Sequence, residues 1–532
     1  MYLVTADEMR RMDQDAIENF GLPGRLLMEN AGRGATRMFI ETFPDACQKK
    51  VGVIAGRGNN GGDGFVMARY LKEYGVPVTV FLLSESRKVQ GDAKANLTLL
   101  SRLSLPVYEI PDQKMFEEHK ALFERQEIWV DAILGTGLQS EVKGFYRHVI
   151  QFVNDSGTSV FSVDIPSGLD SDTGRPHGIS IRADATATFG FAKSGHVLYP
   201  GKEYTGRLGI VDIGIPSPVV EKMRPKQGLL TPGVICKEYQ PRSSWAHKGD
   251  AGHLLVIGGS PGKTGAVALT SLSAMRTGAG LVTLGIPTGL NAVLESQVLE
   301  VMTLPLHETE EGMLHESSEK SIRVALQSKK CLAIGPGLGT APTTRKLFFN
   351  ILRDLNIPVV MDADAITILS EHKDVLHSLE APVILTPHPG EMSRLCGMTP
   401  AEIQQDRITV SRNFAVKYNV HLVLKGAGTV IAHPDGTVYI NPTGNPGMAS
   451  GGMGDVLTGV IAGFLTQGYS PQAATHLGVW IHGAAADDLS QTKGIVGYLA
   501  SDVRDGIPSQ ISLLDRQSPE NPLRIPFLQG VV

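Results

Sequence analysis

Asn445-Pro446-Gly447-Met448-Ala449-Ser450-Gly451-Gly452-Met453-Gly454-Asp455 runs directly into Val456-Leu457-Thr458-Gly459, and this stretch decides the fold of the C-terminal half. Its glycines bring several backbone N–H groups towards one point, at the start of a helix whose dipole adds partial positive charge. Such a nest stabilises charge developing on a transferred phosphoryl group. Asp455, in the first turn, is placed to take a proton from an attacking hydroxyl. A plain helix N-cap is the competing reading of that aspartate, but capping alone does not call for so many glycines ahead of it. Upstream, Lys425-Gly426-Ala427-Gly428-Thr429 lies between two strand-like runs and reads either as a nucleotide-binding loop or as a hairpin turn.

Outward from the loop, short β-branched runs alternate with helical stretches. In the second half, Leu254–Ile257, Leu281–Ile286, Cys331–Ile334, Val359–Asp362, Val383–Thr386 and Leu422–Lys425 read as buried parallel strands. Val430–Ala432 and Thr437–Ile440, joined by His433-Pro434-Asp435-Gly436, read as a hairpin. In the first half the candidates are Val51–Ala55, Val78–Leu83, Ile128–Leu134, Ser159–Ile165, Ala185–Phe191 and Leu208–Ile213. Ile215-Pro216-Ser217-Pro218, with Pro225 soon after, marks a linker or crossover near 216–230. The halves share no motif, so duplication is not supported. The expectation is an α/β chain: a Rossmann-like three-layer αβα domain over 1–222, then a second αβα domain over 228–515.

In the first half, Val51–Ala55 enters Gly56-Arg57-Gly58-Asn59-Asn60-Gly61-Gly62-Asp63-Gly64, with a helix expected from near Phe65. It is neither the dinucleotide fingerprint nor a Walker loop, because no Lys-Ser/Thr follows. A phosphate-binding turn and a plain βα turn are both open. Two further strand ends point to the same crevice. Asp131 precedes Gly135-Thr136-Gly137-Leu138-Gln139-Ser140-Glu141, and Asp164 precedes Ile165-Pro166-Ser167-Gly168. Carboxylates, an amide and a hydroxyl without Cys or His suit a hard cation such as K⁺, Na⁺ or Mg²⁺. Helix capping by Asp131 and Asp164 is the alternative.

The chain has 532 residues, which points to two to four domains, and 60 glycines, which suit many tight βα turns. A net charge of -5 argues against a general nucleic-acid binder. Its four cysteines form no C-x-x-C pair and no disulfide framework, as in a reducing cytoplasm. The N-terminus is not a signal peptide; Thr5 and Glu8 read as a capping box. Val456 to Ala486 lacks charged residues, but Pro471, the glycines and two histidines interrupt it. Two core helices joined near Tyr469-Ser470-Pro471 are expected there, not a membrane span. The segment after Ser501 carries no readable motif, and its prolines suggest a loose tail.

The ordered set N-N-G-G-D-G, V-D-A-I-L-G-T-G and V-D-I-P-S-G resembles the NAD(P)H-hydrate epimerase family over roughly residues 1–220. The resemblance implies that Asn59, Asn60, Gly61, Gly62 and Asp63 bind the hydrated nicotinamide nucleotide, together with Gly135, Thr136, Gly137, Leu138, Gln139, Ser140 and Glu141. It further implies a potassium ion on Asn60, Asp131 and Ser167, and Asp164 touching substrate, which we take as the acid/base group. The Gly451–Asp455 loop is similar to the anion hole of ribokinase-like kinases, in which the aspartate is the catalytic base. With His247–His253, Gly335–Gly339 and Thr386–Met392, it resembles the ADP-dependent NAD(P)H-hydrate dehydratases over roughly 230–515. By that resemblance Ala266, Gly337, His388, Pro389, Gly390, Glu391, Met392, Ser393, Arg394 and Asp455 face the hydrate. Lys425, Gly426, Ala427, Gly428, Thr429, Asn445, Gly451, Gly452, Met453 and Gly454 face the adenine nucleotide, carried with Mg²⁺.

The joint expectation is an isomerase and lyase in one cytoplasmic chain. It would interconvert the R and S hydrates and dehydrate the S form with ADP, by phosphorylating the hydroxyl and then expelling phosphate. It would be a homo-oligomer with no nucleic-acid and no membrane partner. The competing expectation is a ribokinase-like vitamin-precursor kinase fused to a non-catalytic nucleotide-binding domain.

Overall fold

The structure, a computed structural model, describes residues 1–517. Two compact units divide the chain: Tyr2–Gly228, and Leu229 onward joined by Met1. The first unit is built on β1 (Val51–Ala55), β2 (Val78–Leu82), β3 (Val107–Glu109), β4 (Ile128–Ala132), β5 (Ser159–Val163), β6 (Ala185–Phe189) and β7 (Arg207–Val211). These form one seven-stranded sheet in the order β3-β2-β1-β4-β5-β6-β7, parallel throughout. Alternate residues serve opposite faces, as a period of two requires. Val53, Val80 and Val130 join one apolar cluster, while Ile54, Phe81 and Trp129 join another. Helices therefore cover both faces, which is the expected αβα layering. The strand order reverses between β1 and β4, and in such sheets the crevice beyond the carboxyl ends at the reversal is where ligands sit.

The second unit repeats the logic with another order. Its strands are β8 (His253–Ile257), β9 (Leu281–Pro287), β10 (Met302–Leu306), β11 (Cys331–Ile334), β12 (Val359–Met361), β13 (Val383–Leu385), β14 (His421–Leu424), β15 (Val430–Ala432) and β16 (Val438–Ile440). They lie in the order β10-β9-β8-β11-β12-β13-β14-β15-β16. All pairs up to β14 are parallel, and β15 and β16 form the expected antiparallel hairpin. Here the order reverses between β8 and β11.

Four expectations need correction. The helix after β1 begins at Asn59, not near Phe65, so the glycine run is its first turn. A Cβ on Gly61 would lie 1.9 Å from the Gly56 carbonyl oxygen, so glycine there lets the helix start press on the preceding turn. The proline-rich stretch near 216–230 contains the division between the two units, as expected of a linker or crossover, but it is not bare loop. It holds helix Ser217–Met223, with proline in the first turn, and strand Gln227–Leu229. The segment after Ser501 is no loose tail up to residue 517: Ala500–Gln517 is helical with Pro508 inside it, and the remainder lies outside the described residues. Edge strands β3 and β10 were not expected; one is three residues long and the other carries Pro305, which an edge tolerates. The uncharged stretch forms helices Met453–Thr466 and Pro471–Lys493, as expected. No helix among the described residues is long and apolar enough to cross a membrane.

A row of imidazoles closes the amino end of the second sheet. His421 Nδ1 lies 2.8 Å from His433 Nδ1, His433 Nε2 lies 2.9 Å from His476 Nε2, and His476 Nδ1 lies 2.8 Å from a Glu238 carboxylate oxygen. Burial pushes the pKa of His421 down to about 4 and that of His433 lower still. The row is satisfied in one sense when His476 Nδ1–H donates to Glu238 and each ring in turn donates to the next, from His421 towards the carboxylate.

Candidate active sites

In the first unit the carboxyl edge of the sheet opens into a cavity of about 760 Å³. Asn59, Asn60, Asp63, Gly135, Thr136, Gly137, Leu138 and Asp164 line it. Gly61 and Gly62 are buried behind the lining. Gln139, Ser140 and Glu141 are exposed and outside it, and Glu141 pairs with Lys143 at 3.0 Å.

Under the floor lies a buried oxygen cluster. Ser167 Oγ donates to Asp131 Oδ1 at 2.5 Å, and the Ser167 N–H donates to Asp131 Oδ2 at 2.8 Å. Ser162 Oγ also donates to Asp131 Oδ2 at 2.8 Å, and the Leu134 N–H donates to Ser167 Oγ at 2.8 Å. Burial raises the Asp131 pKa, and these hydrogen bonds oppose the rise. Asn60 Nδ2 donates to the Leu134 carbonyl at 3.1 Å. Asn60 Oδ1 is buried and has no hydrogen-bond partner among the described residues. An orphaned carbonyl oxygen beside a hydroxyl, a main-chain carbonyl and a carboxylate is a donor set that fits a hard monovalent cation.

Asp164 also lines the cleft, with its backbone in the left-handed region at φ +62°. Lys193 Nζ donates to Asp164 Oδ1 at 2.6 Å, joined by Thr188 Oγ1 at 3.1 Å and the Phe189 N–H at 3.2 Å. The lysine is wholly buried. Burial works against the Asp164 charge, but the Lys193 ammonium outweighs it and holds the carboxyl below its ordinary range. His196 fixes the main chain of the same residue. Its Nδ1 accepts from the Lys193 N–H at 3.1 Å, so its Nε2 carries the proton shared with the Asp164 carbonyl at 3.0 Å. Burial, reinforced by Lys193, pushes the pKa of His196 down to about 4, which keeps the ring neutral. Lys193 and His196 escaped sequence reasoning, although a lone lysine ending the apolar run before Ser194-Gly195-His196 is the kind of signal that marks a buried cation.

In the second unit the analogous edge gathers Asp362 after β12, Glu391 after β13, Lys425 after β14 and Asp455 in the first turn of helix Met453–Thr466. Lys425 Nζ donates to Asp362 Oδ1 at 2.7 Å and lies 3.7 Å from Glu391 Oε2. Thr458 Oγ1 donates to Asp362 Oδ2 at 2.8 Å. A Cβ on Gly454 would lie 3.2 Å from Lys425 Nζ, so the lysine stands against the helix start. Burial pushes the Asp455 pKa up to about 7; Asp362 adds to the rise and Lys425 opposes it. Burial likewise raises Glu391 against the pull of Lys425. Desolvation disfavours the Lys425 charge, but Asp362 and Glu391 more than compensate and hold it protonated.

Thr270 Oγ1 ties this helix start to the other wall. Its hydroxyl lies 2.9 Å from the Ala266 carbonyl and 3.1 Å from the Asp455 carbonyl, its one proton shared between them. A Cβ on Gly337 would lie 3.5 Å from the Ala266 methyl. Ala266, Gly337, Lys425 and Asp455 therefore share one edge. His388 is exposed, and its Nδ1 accepts from the Gly390 N–H at 2.9 Å. Pro389 is half-buried and Arg394 exposed. The remaining two of that run turn inward: Met392 is fully buried, and Ser393 Oγ donates to the Met398 carbonyl at 2.7 Å.

The loop Gly426-Ala427-Gly428-Thr429 is braced from behind by Arg407, whose guanidinium donates to the carbonyls of Ala427, Leu424 and Lys425 at 2.6, 2.9 and 3.2 Å. Asn445 Oδ1 accepts from Tyr498 at 2.6 Å, while its Nδ2 donates to Asp487 at 3.0 Å. Gly451 and Gly452 lead into Met453, with Gly452 at φ +88°. Asp362, Arg407 and Asp487 were not singled out in the sequence, where no motif marks them.

Comparison with known proteins gives two family matches. Residues 254–509 match the NAD(P)H-hydrate dehydratase family, and residues 24–195 match the YjeF-related protein N-terminus. The bifunctional NAD(P)H-hydrate repair enzyme Nnr of Moorella thermoacetica is 40% identical over 97% of this chain and 98% of its own. The enzyme of the same name from Escherichia coli is 36% identical over 94% of this chain and 92% of its own. Among solved structures, the ADP/ATP-dependent NAD(P)H-hydrate dehydratase of Bacillus subtilis, crystallised with ATP and Mg²⁺, is 30% identical, with a TM-score of 0.47, covering 54% of this chain and 98% of that one. A vitamin-precursor kinase fused to an inert domain is not what the full-length matches describe, and the chain belongs to the family of bifunctional NAD(P)H-hydrate repair enzymes.

Proposed function

We propose that residues 1–222 epimerise the hydrated nicotinamide nucleotide and residues 228–515 dehydrate its S form with ADP, in the cytoplasm. The observation carrying this reading is that each unit gathers its motif carboxylates and glycine turns at the carboxyl edge of its own parallel sheet. In the first unit Asn60, Ser167 and Asp131 would hold potassium, with Leu134 contributing its carbonyl. The ion would supply fixed positive charge beneath the ligand. In the second, Lys425 and the N–H groups of Gly452 to Gly454 meet the nucleotide phosphates, and Asp455 takes the proton from the hydrate's hydroxyl. The oxygen attacks the terminal phosphoryl group of ADP and AMP leaves. Phosphate then departs from carbon as the neighbouring carbon loses a proton, which restores the ring double bond. No group of three or more His, Cys, Asp or Glu among the described residues is arranged to hold a metal ion by itself. Magnesium would come with the nucleotide, on its phosphates, as at many phosphoryl-transfer sites.

The test is a mixture of R and S hydrate with ADP, Mg²⁺ and K⁺, followed by reduced-nicotinamide absorbance. Full conversion is expected. Arrest at the S fraction removes the epimerase assignment, and no recovery with ADP or ATP removes the dehydratase assignment. Asn60→Ala should weaken the apparent potassium affinity of epimerisation by about 10–100-fold, read from initial rates against K⁺ concentration. An unchanged potassium curve rules out Asn60 as a ligand.

A further inference from the structure

Epimerisation at one carbon calls for chemistry on both faces of the ring, and Asp164 supplies one wall of the cavity only. A second carboxyl lines the same cavity from a different element. Asp13 sits on helix Ala6–Glu18, one turn beyond Met9, and its Oδ1 is buried with no hydrogen-bond partner among the described residues. Buried polar atoms are ordinarily satisfied, so an unmet carboxyl oxygen lining a ligand-sized cavity is an exception that a ligand would resolve. The helix is held at its start: the Thr5 N–H donates to Glu8 at 2.8 Å, and the Ala6 N–H donates to Asp172 at 2.7 Å, in the turn that follows Asp164. The helix that carries Asp13 is thus anchored beside Asp164.

Resting on the proposed epimerase reading, we propose that Asp13 is the second acid/base group of this centre and works across the bound ring from Asp164. Water adds to the reduced nicotinamide so that the hydroxyl lies on the carbon bonded to the ring nitrogen. Asp13 donates its proton to that hydroxyl, the carbon–oxygen bond breaks, water leaves, and the nitrogen lone pair forms a C=N⁺ bond. A second water adds from the other face, the π electrons return to nitrogen, and Asp164 takes the proton released. The ring is inverted and one proton has passed from Asp13 to Asp164; exchange with solvent restores the starting state.

The electrostatics set the two carboxyls apart in the required sense. Burial pushes the pKa of Asp13 up to about 6, with Lys193 opposing and Asp164 adding, whereas Lys193 holds Asp164 anionic. Asp63 is also buried close to both and is raised by burial and by their charges. Arg10, Arg57 and Asp92 are the other charged groups on the cavity wall. Pairs of carboxyls whose environments separate their pKa values are the usual means of assigning acid and base.

The experiment follows inversion of purified R hydrate by full-length protein without nucleotide, so that the dehydratase is silent. Asp13→Asn should lower the rate by about 10²–10⁴-fold and abolish the fall in rate expected of the wild type above about pH 6. The Asp13→Glu variant should recover part of the rate, and ADP-dependent dehydration of S hydrate should be unchanged in both. Solvent ¹⁸O should enter the hydroxyl once per inversion. Wild-type inversion with an Asp13→Asn rate within about threefold of it overturns the role of Asp13. A slowed variant that keeps the wild-type pH profile overturns it too, because it makes Asp13 a positioning residue. Retention of the original oxygen overturns the path through C=N⁺. A wild-type chain that leaves R hydrate unchanged overturns the epimerase reading itself.

Discussion

Asp455→Asn is expected to lower ADP-dependent dehydration by about 10²–10⁴-fold while epimerisation proceeds at the wild-type rate. The amide keeps the size of the side chain and its place in the first turn, and it removes only the capacity to accept the hydroxyl proton. The electrostatics give the wild type a pH signature. Asp455 is pushed up to about 7 by burial, with Asp362 adding and Lys425 opposing. The ionised form that can act as a base is therefore scarce below pH 7 and dominant above it. Wild-type kcat/KM should climb with pH through about 7, and the residual activity of Asp455→Asn should not. Initial rates from S hydrate at pH values on both sides of about 7 read both. An Asp455→Asn chain that dehydrates at the wild-type rate would falsify the assignment of the base.

The second large effect lies at Lys193. Lys193→Met should abolish measurable epimerisation and destabilise the protein by about 3–5 kcal/mol, because it strands the Asp164 carboxylate in a buried site with its cation removed. Replacing both groups, as Asp164→Asn with Lys193→Met, should recover much of that loss of stability and none of the activity. The recovery measures the coupling between the pair. The pH sense follows from the direction of the Asp164 shift. Its folded-state pKa lies below the unfolded value, so the pair's contribution is complete above that unfolded value and fades as pH falls through the folded one. The difference in melting temperature between wild type and Asp164→Asn should therefore stay level from pH 8 to 5 and narrow only in stronger acid. A Lys193→Met protein as stable and as active as wild type would remove the lysine from the centre.

Much of this was legible in the sequence, because buried parallel strands are continuous apolar runs and the polar residues that end them must do something. Asp164 announces itself by ending such a run, Asp131 by interrupting one, Ser167 by the turn that follows, and Asp455 by following a glycine cluster. The helix start at Asn59 was misplaced because glycine has low helix propensity, whereas here it is selected for its missing Cβ against Gly56. Asp13 was hidden for a different reason: on a helix that also carries Asp7, Glu8 and Asp15, one more acid looks like solvated surface. Only its register with Met9, Met12 and Ala16, all buried, places it on the inward side. Lys193, Asp362 and Arg407 have partners that lie 29, 63 and 20 residues away. No local pattern encodes those pairs.

The imidazole row from His421 through His433 and His476 to Glu238 has a consequence for how that end of the second unit meets acid. Every nitrogen between the ends is already committed, either giving a proton or receiving one. A proton added to the middle ring would set two N–H groups face to face unless His421 turned its own proton round, so those two rings are coupled. The outer nitrogen of His421 stands outside the row, and a proton taken up there would leave every bond of the row in place.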